Sequence, residues 1–312
     1  MENCREEWFD REKKVAVTIV DVTAAAQELA RGHLCGPVAA HYLTRALAAA
    51  ALLGAETGEK DEVVSIQMKC DGPLGGLNVE CTAAGTLRGY TEKKVLEDFD
   101  GLGEPQDRKV LGSTQYQVTR SVPGRILSQG ISASLDGYLA GSLQRKACIR
   151  TEVAVSDEVE VAAARGIMVE IMPDSRLGSL GSEGSLGSEG SEGSVGSLGS
   201  EGSEGSVGSL GSEGSVGASG SGSVHDDPLL TLMDPKRPVK LSVASRNILK
   251  QLGLEKAELR KTTPLSFACR CSPERAVAML GALSDEEKKA LPPTVDITCH
   301  MCGKTFTVKT KE

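Results

Sequence analysis

A glycine falls at every third position across residues 178–217, and this repeat restricts the possible fold more than any other feature. Nearly every triplet reads Gly-Ser-Glu, Gly-Ser-Leu or Gly-Ser-Val, and none contains proline. A collagen triple helix needs proline to pre-set its backbone, and so few apolar residues bury too little surface to offset chain entropy. We therefore expect residues 177–224 to be a flexible linker whose ends average roughly 35–40 Å apart, with a folded part on each side.

The residues before the linker, 1–176, carry a mixture of helical and strand patterns. Apolar spacing predicts helices over residues 38–56 and 131–144. Alternation and turn residues predict strands over 63–70, 71–81 (after an Asp-Gly-Pro-Leu-Gly-Gly turn), 85–93, 113–122, 150–156 and 164–173. Antiparallel strands with a few helices indicate an α+β domain. After the linker, residues 225–262 read as helical, with a helix over 245–261 that is interrupted at Gly253.

The charge pattern and the start of the chain bear on compartment and partners. The net charge is −8, and only the residues after 224 are basic, with 15 Lys and Arg against 11 Asp and Glu. This bias is too weak to predict nucleic-acid binding by itself. The charged first residues and the absence of an apolar run of about 20 residues predict a soluble, cytoplasmic protein without a membrane segment, although delivery to an organelle stays open.

Four of the nine cysteines lie within 34 residues near the end of the chain, as Cys269-x-Cys271 and Cys299-x-x-Cys302. Two close pairs are typical of a structural Zn²⁺ site with four thiolate ligands. His300 is an alternative ligand, and buried reduced thiols without metal are the other reading. Four thiolates would close the coordination shell, so we expect no enzyme activity.

Residues 263–312 form a plausible small domain around these cysteines. Ser272 and Pro273 begin a helix with Ala276, Val277, Met279 and Leu280 as its apolar face, and Ser284 with Glu287 forms a capping box for a second helix. Gly303 suits a tight metal-binding turn. Arg270, Arg275 and Lys304 flank the cysteines and would favour thiolates, which are the forms that oxidants attack.

The segments "PLSFACRCSPERAVAMLGALSDEE" and "VDITCHMCGKTF" resemble the zinc domain of the heat shock protein 33 family. "LTRALAAAALLGAE", "SIQMKCDGPLGGLNVECTAAGTLRGY" and "GIMVEIMP" resemble that family's core, in the same order. The resemblance implies an ATP-independent, redox-regulated holdase chaperone that is inactive when reduced and zinc-bound. It implies that oxidation pairs Cys269 with Cys271 and Cys299 with Cys302, that zinc leaves, and that the protein then dimerises and binds unfolding clients under oxidative stress.

The repeat is a departure from the family, because it lies where the family has a compact linker that shields the client surface. We interpret the repeat as an insertion and expect residues 226–261 to keep the shielding role. The domains would then be a chaperone core at 1–176, the inserted linker at 177–224, a helical linker region at 225–262 and a zinc-binding redox-switch domain at 263–312.

Two questions stay open at this point. A zinc-ribbon module that binds nucleic acid or protein without redox switching is the alternative function, although the basic tail has only Phe267 and Phe306 for stacking on bases. The five other cysteines are expected to be unpaired thiols, with Cys70 and Cys81 as possible cross-strand neighbours; they are Cys4, Cys35, Cys70, Cys81 and Cys148.

Overall fold

The computed structural model describes residues 3–103, 105–173 and 227–310, so the linker expected at 177–224 lies outside the described residues. The helices are α1 (Thr23–His33), α2 (Pro37–Leu53), α3 (Asp107–Val110), α4 (Leu135–Gly137), α5 (Pro228–Met233), α6 (Ser245–Gln251), α7 (Pro273–Gly281) and α8 (Asp285–Ala290). The strands are β1 (Cys4–Asp10), β2 (Val15–Asp21), β3 (Val63–Cys70), β4 (Gly76–Thr82), β5 (Thr86–Thr91), β6 (Thr114–Val122), β7 (Arg125–Ser132), β8 (Lys146–Val155), β9 (Val161–Ile171), β10 (Glu258–Pro264), β11 (Ser266–Phe267), β12 (Thr294–Thr298) and β13 (Thr305–Lys309).

The strands form two large sheets and one hairpin. The first sheet has the order β10-β1-β2-β9-β8 and the second has the order β11-β5-β4-β3-β6-β7, while β12 and β13 pair with each other. Every pair is antiparallel except β11 with β5, which is parallel. The α+β class expected from the sequence is therefore confirmed.

Helix α2 is the centre of the main core, where it contacts strands of both sheets. Its alanines and leucines are buried on nearly all sides, which is why the sequence is apolar without a clear polar face. With the following 3₁₀ turn it spans Pro37–Glu56, with a mean hydropathy of 1.3, and it is the candidate membrane span among the described residues by length and composition. Since 78% of its apolar window is buried inside the protein, it has the burial of a core helix.

The first sheet is buried on both faces. One face contributes to the main core around α2, and the opposite face carries a second apolar cluster. The sheet side chains of that second cluster are Trp8, Val15, Val17, Ile19, Cys148, Ile167 and Val169. They pack against residues 227–257, which we call the covering segment; its buried contributors are Leu232, Leu241, Ile248, Leu249, Leu252, Leu254 and Ala257.

The chain passes from one sheet to the other directly after the covering segment. Residues 258–268, which we call the strap, first add β10 to the edge of the first sheet beside β1. They then add β11 to the edge of the second sheet beside β5. Leu265, between the two strands, is buried in the main core, so the strap is anchored to both sheets. The covering segment is thus joined to the cysteine region through paired strands.

Two helix predictions are wrong in part. Residues 131 and 132 belong to β7, where Ile131 faces Gln117 across the ladder, and the helix that follows is short: Ser134 caps α4, which continues as a π-helical turn, Tyr138–Ser142. In the predicted helix over 245–261, only α6 is helical. Gly253 adopts a φ of +66°, which ends the helical stretch, and the residues after 257 pair with the open edge of β1. Those strand hydrogen bonds outweigh the weak helical propensity of the segment.

Candidate metal centre

The first cysteine pair lies between the strap and a capped helix. Cys269 and Cys271 follow β11, and α7 begins immediately after them. The hydroxyl of Ser272 accepts a hydrogen bond from the backbone N–H of Arg275 at 3.3 Å, and Pro273 occupies the first turn, as the sequence predicts. The cap fixes the direction in which the chain leaves the two thiols.

The second pair lies on the turn of the β12–β13 hairpin. The N–H of Cys299 donates to the carbonyl of Lys304 at 2.9 Å, and the N–H of Gly303 donates back to the carbonyl of Cys299 at 2.9 Å. Gly303 has a φ of +74°, which is the left-handed conformation that glycine adopts without strain. The tight turn expected at Gly303 is therefore present, and it points Cys299 and Cys302 to the same side.

The hairpin and the capped helix bring all four thiols together. The Sγ atoms of Cys269, Cys271, Cys299 and Cys302 lie within 4.8 Å of one another, and among the described residues this is the group of three or more such side chains that could share a metal ion. The Cys269–Cys299 and Cys271–Cys302 Sγ distances are 3.7 and 3.4 Å. A tetrahedron with metal–sulfur bonds of about 2.3 Å has edges of about 3.8 Å, so the spacing fits one metal ion. The ring of His300 instead packs edge-on against Tyr90, with centroids 5.8 Å apart.

The cluster is electrostatically uneven. Burial raises the pKa of Cys269, but hydrogen bonds from the backbone of Cys271 and from the neighbouring thiols outweigh it and lower the value to about 7. Burial raises the pKa of Cys302, and the hydrogen bonds to the other thiols raise it further. Cys269 thus forms a thiolate most readily, whereas Cys302 holds its proton more firmly. This is the behaviour of a ligand set that needs a cation to become fully deprotonated.

An arginine of the second sheet interacts with one of the four thiols. Arg88 on β5 interacts electrostatically with Cys269 and forms an ion pair with Glu80 at 2.6 Å. Arg270 reaches the same Glu80 at 3.6 Å. Lys304, another of the cations expected near the thiols, lies over the ring of Phe306, with its Nζ 5.3 Å from the ring centroid. Sequence spacing carried no signal for Arg88, because only the pairing of β5 with the strap brings it to the site.

Residues 299–303, which we call the metal turn, rest directly on the core. The N–H of Gly89 in β5 donates to the carbonyl of Met301 at 3.1 Å, and Nε2 of the buried His33 lies 2.8 Å from the carbonyl oxygen of Gly89. Gly303 packs against Gly32 so closely that a Cβ on Gly303 would lie 2.1 Å from the Gly32 carbonyl oxygen. Burial lowers the pKa of His33, so the neutral imidazole is favoured here. The turn therefore fits this seat only with glycine at position 303.

The apolar face expected on α7 is largely exposed. Only Ala276 is buried, whereas Val277 and Met279 are 53% and 65% exposed. The reason is that α7 packs mainly on β13, where one small residue fills the contact.

None of the five other cysteines forms a disulfide among the described residues, as expected. Burial raises the pKa of Cys35, Cys81 and Cys148 to about 11, so these side chains stay protonated near neutral pH. Cys70 and Cys81 are not cross-strand neighbours: Cys70 faces Thr114, and Cys81 faces Val64.

The fold and the site together define an α+β protein with a covered apolar sheet face and a cluster of four thiols that could hold one metal ion. A family model described as Hsp33 protein matches residues 8–309. The chain therefore belongs to the Hsp33 family. Curated relatives named 33 kDa chaperonin, from a strain of Thermus thermophilus and from Symbiobacterium thermophilum, are 27% and 28% identical to it. Their alignments cover 95% and 93% of this chain and 81% and 88% of the relatives.

A solved structure has the same fold. The crystal structure of the Hsp33 homologue from Thermotoga maritima superposes with a TM-score of 0.75 at 17% identity, covering 99% of this chain and 96% of that one. The family resemblance stated from the sequence motifs is therefore confirmed, and the protein is a family chaperone with a four-cysteine cluster near its C-terminus.

Proposed function

We propose that this protein is a redox-regulated, ATP-independent holdase that binds unfolding proteins after its four-cysteine centre is oxidised. The observation that carries the proposal is the second apolar cluster. A broad apolar face of the first sheet, including Trp8 and Ile167, is covered by a segment that is connected through the strap to Cys269. Burial of such a face by a removable segment is what a switchable client surface requires, since exposed apolar patches bind other proteins.

The resident metal in this proposal is Zn²⁺, held in the reduced state by Cys269, Cys271, Cys299 and Cys302. Thiolates are soft ligands that suit zinc, and the sulfur spacing supports one ion. Bound zinc would supply a structural cross-link between the capped helix and the hairpin. Four thiolates fill a tetrahedral shell, which supports a structural role and no enzyme activity.

The redox step removes the ligands. In the proposed step Cys269 joins Cys271 and Cys299 joins Cys302, so the four thiolates form two S–S bonds and lose four electrons. Two molecules of peroxide would accept these electrons and, with four protons, become four molecules of water. A disulfide sulfur is no longer an anionic ligand, so the centre cannot keep its metal. The hairpin and α7 then lose their main connection, because their apolar contact is small.

Loss of the centre would release the covering segment through the strap. Ala268 and Met301, which are next to ligand cysteines, hydrogen-bond to β5. When these contacts open, β11 loses its backbone attachment to β5, and the strap keeps the exposed pairing of β10 with β1 and the packing of Leu265. The covering segment is then held less firmly at its C-terminal end, and the apolar face of the first sheet becomes accessible.

The remaining parts of the proposal follow from the same scheme. The partners are unfolded or partly unfolded client proteins, the active form is a homodimer, and the location is the cytoplasm. Residues 1–176 serve as chaperone core and residues 263–312 as the redox switch. The linker at 177–224 is an insertion that leaves the shielding role to residues 226–261, an arrangement supported by the contacts of the covering segment.

A zinc-ribbon module for nucleic acid is less well supported by the side chains. Phe267 packs against the main core, and Phe306 lies beneath Lys304, so neither ring is presented as a free stacking platform. Salt-dependent nucleic-acid binding by the reduced protein would favour that function over ours.

A peroxide titration under mildly unfolding conditions tests the proposal. Metal release is followed with a colorimetric zinc chelator, client protection is followed by light scattering of an unfolding enzyme, and the single tryptophan, Trp8, reports whether the covered face opens. We expect all three to change together and to reverse with reductant. Equal client protection by the reduced metal-bound form and the oxidised form would refute the switch, and no protection by either form would refute the chaperone.

A further inference from the structure

The outer edge of β5 is paired with this chain's own backbone at Gly85, Leu87 and Gly89. The carbonyl of Gly85 accepts a hydrogen bond from the N–H of Ser266 at 3.1 Å, and the carbonyl of Leu87 accepts one from Ala268 at 3.1 Å. Further along, the N–H of Gly89 donates to Met301 at 3.1 Å. The edge of β5 can therefore pair with another strand, and in this structure the last residues of the strap and the metal turn pair with it.

The two edges of the second sheet differ. At the far edge, β7 has a bulge where its pairing with β6 shifts between Arg120 and Ser121. Bulges of this kind make an edge a poor partner for further strands. The pairing of β5 with β4 is regular over its length, from Leu77↔Thr91 to Cys81↔Leu87. The regular edge is the one that the strap covers.

The side chains of the strap show what this edge accepts. Leu265 is 3% exposed and belongs to the main core, and Phe267 packs against the same core, while Ser266 between them is exposed. An extended segment places alternate side chains on one face, so the β5 edge offers apolar contacts at positions i and i+2 beside its backbone groups. It fits an extended segment with large apolar residues at alternate positions.

Both covers of the edge depend on the thiol centre. Ala268 directly precedes Cys269, and Met301 directly precedes Cys302. Opening of the centre therefore frees the donors from Ser266 and Ala268 and the acceptor at Met301 in one event. Unfolding proteins present extended, alternately apolar segments, which are the segments that add to open sheet edges.

We propose that the released β5 edge is a client-binding site, which captures an extended, alternately apolar segment of an unfolding protein by strand addition in place of residues 265–268. This inference rests on the proposed function, because opening of the thiol centre is what releases the edge. It adds a site on the second sheet, separate from the apolar face of the first sheet, and it adds backbone hydrogen bonds to the apolar recognition of clients.

A peptide with the sequence of residues 261–268, Lys-Thr-Thr-Pro-Leu-Ser-Phe-Ala, is the probe. Its matched control is the same peptide N-methylated at the serine and the last alanine, which removes the two donors that Gly85 and Leu87 accept and keeps every side chain. Binding to the oxidised protein is measured by fluorescence anisotropy, and hydrogen exchange of residues 85–91 is followed by mass spectrometry. We expect binding with renewed protection of 85–91, and affinity reduced about tenfold or more by methylation.

A variant that opens the edge without oxidation separates this site from the redox switch. Ser266→Pro with Phe267→Ser removes one donor and one apolar anchor from the strap, whereas Ser266→Thr with Phe267→Leu keeps both. We expect the reduced, metal-bound first variant to bind the peptide and the second not to bind it. Burial of Trp8 in both variants reports a folded core.

The outcomes are distinguishable. Equal binding of the methylated peptide, or binding without protection of residues 85–91, overturns the strand-addition site. Failure of both the oxidised protein and the opened variant to bind the peptide overturns it as well. Binding by the opened variant but not by the oxidised wild type supports the site and refutes its release by oxidation, which is a failure of the proposed function. Client protection measured on the same samples shows whether the chaperone itself stands.

Discussion

Replacing Ile248 by alanine tests whether the covering segment is a removable cover. The Ile248 side chain is completely buried in the second apolar cluster, between the covering segment and the first sheet. Truncation of a fully buried isoleucine costs about 2–4 kcal/mol, as the sum of lost transfer free energy and the cavity left behind. If the covering segment opens as a unit, this cost shifts its opening equilibrium by roughly 30- to 900-fold toward the open form.

The reduced, metal-bound Ile248→Ala protein should therefore protect an unfolding client without oxidant. Light scattering of the client measures protection, and the emission of Trp8 should shift to longer wavelength as water reaches the uncovered face. Lys250→Ala is the matched control, because Lys250 lies on the same helix and is exposed. If Ile248→Ala lowers Tm but leaves both client protection and Trp8 emission of the reduced protein unchanged, the covering segment is an ordinary part of the core and our reasoning is wrong.

Three further predictions concern the centre and the core. Arg88→Ala removes the cation that interacts with the ligand thiol of Cys269, so metal affinity measured by chelator competition should fall roughly tenfold or more. Arg125→Ala removes an exposed ion pair and should leave the metal affinity unchanged. Gly303→Ala places a Cβ 2.1 Å from a backbone oxygen at a φ of +74°, so limited proteolysis should cut the C-terminal hairpin faster; Gly281→Ala, which points into open space, should not change the rate. Burial raises the pKa of Glu62, but hydrogen bonds from a guanidinium and two backbone N–H groups outweigh it and hold the value below 4.5. Because the pKa of Glu62 is lower in the folded than in the unfolded protein, the ionised carboxylate stabilises the fold at pH values above the unfolded pKa, and this stabilisation is lost as the pH falls through the folded pKa. Glu62→Gln should therefore flatten the decline of Tm between roughly pH 5 and 3. Parallel Tm profiles of the two proteins would contradict this.

The cysteine centre could be predicted because its determinants are local. Cys-x-Cys before a capped helix and Cys-x-x-Cys before Gly303 each define their own geometry within a few residues. The same holds for α2, whose apolar spacing and terminal Gly54 mark it in the sequence. In these cases neighbouring residues determine the local structure, and contacts with distant parts of the chain do not change it.

The strap and the Arg88 contact could not be predicted, since both depend on pairing between distant strands. The exposed strand β10 reads Glu-Leu-Arg-Lys-Thr-Thr-Pro; it has no apolar alternation, and only its first four residues favour helix on local propensity. Strand β2 is buried on both faces, so its apolar run lacks the alternation that marks a strand with one solvent face. Arg88 belongs to β5 and reaches Cys269 only because β11 joins that sheet.

The covering segment follows strands β1 to β9 in the chain, and this order has a consequence during synthesis. Strands β1 to β9 are complete once Ile171 has been translated, but the residues that shield the first sheet come later, up to Ala257. At about 5–20 residues per second, a ribosome needs roughly 4–17 s to translate the intervening residues. During that interval the nascent core carries an open apolar face and two uncovered strand edges, so each new molecule exposes the surfaces that we propose bind clients before its own shield is made.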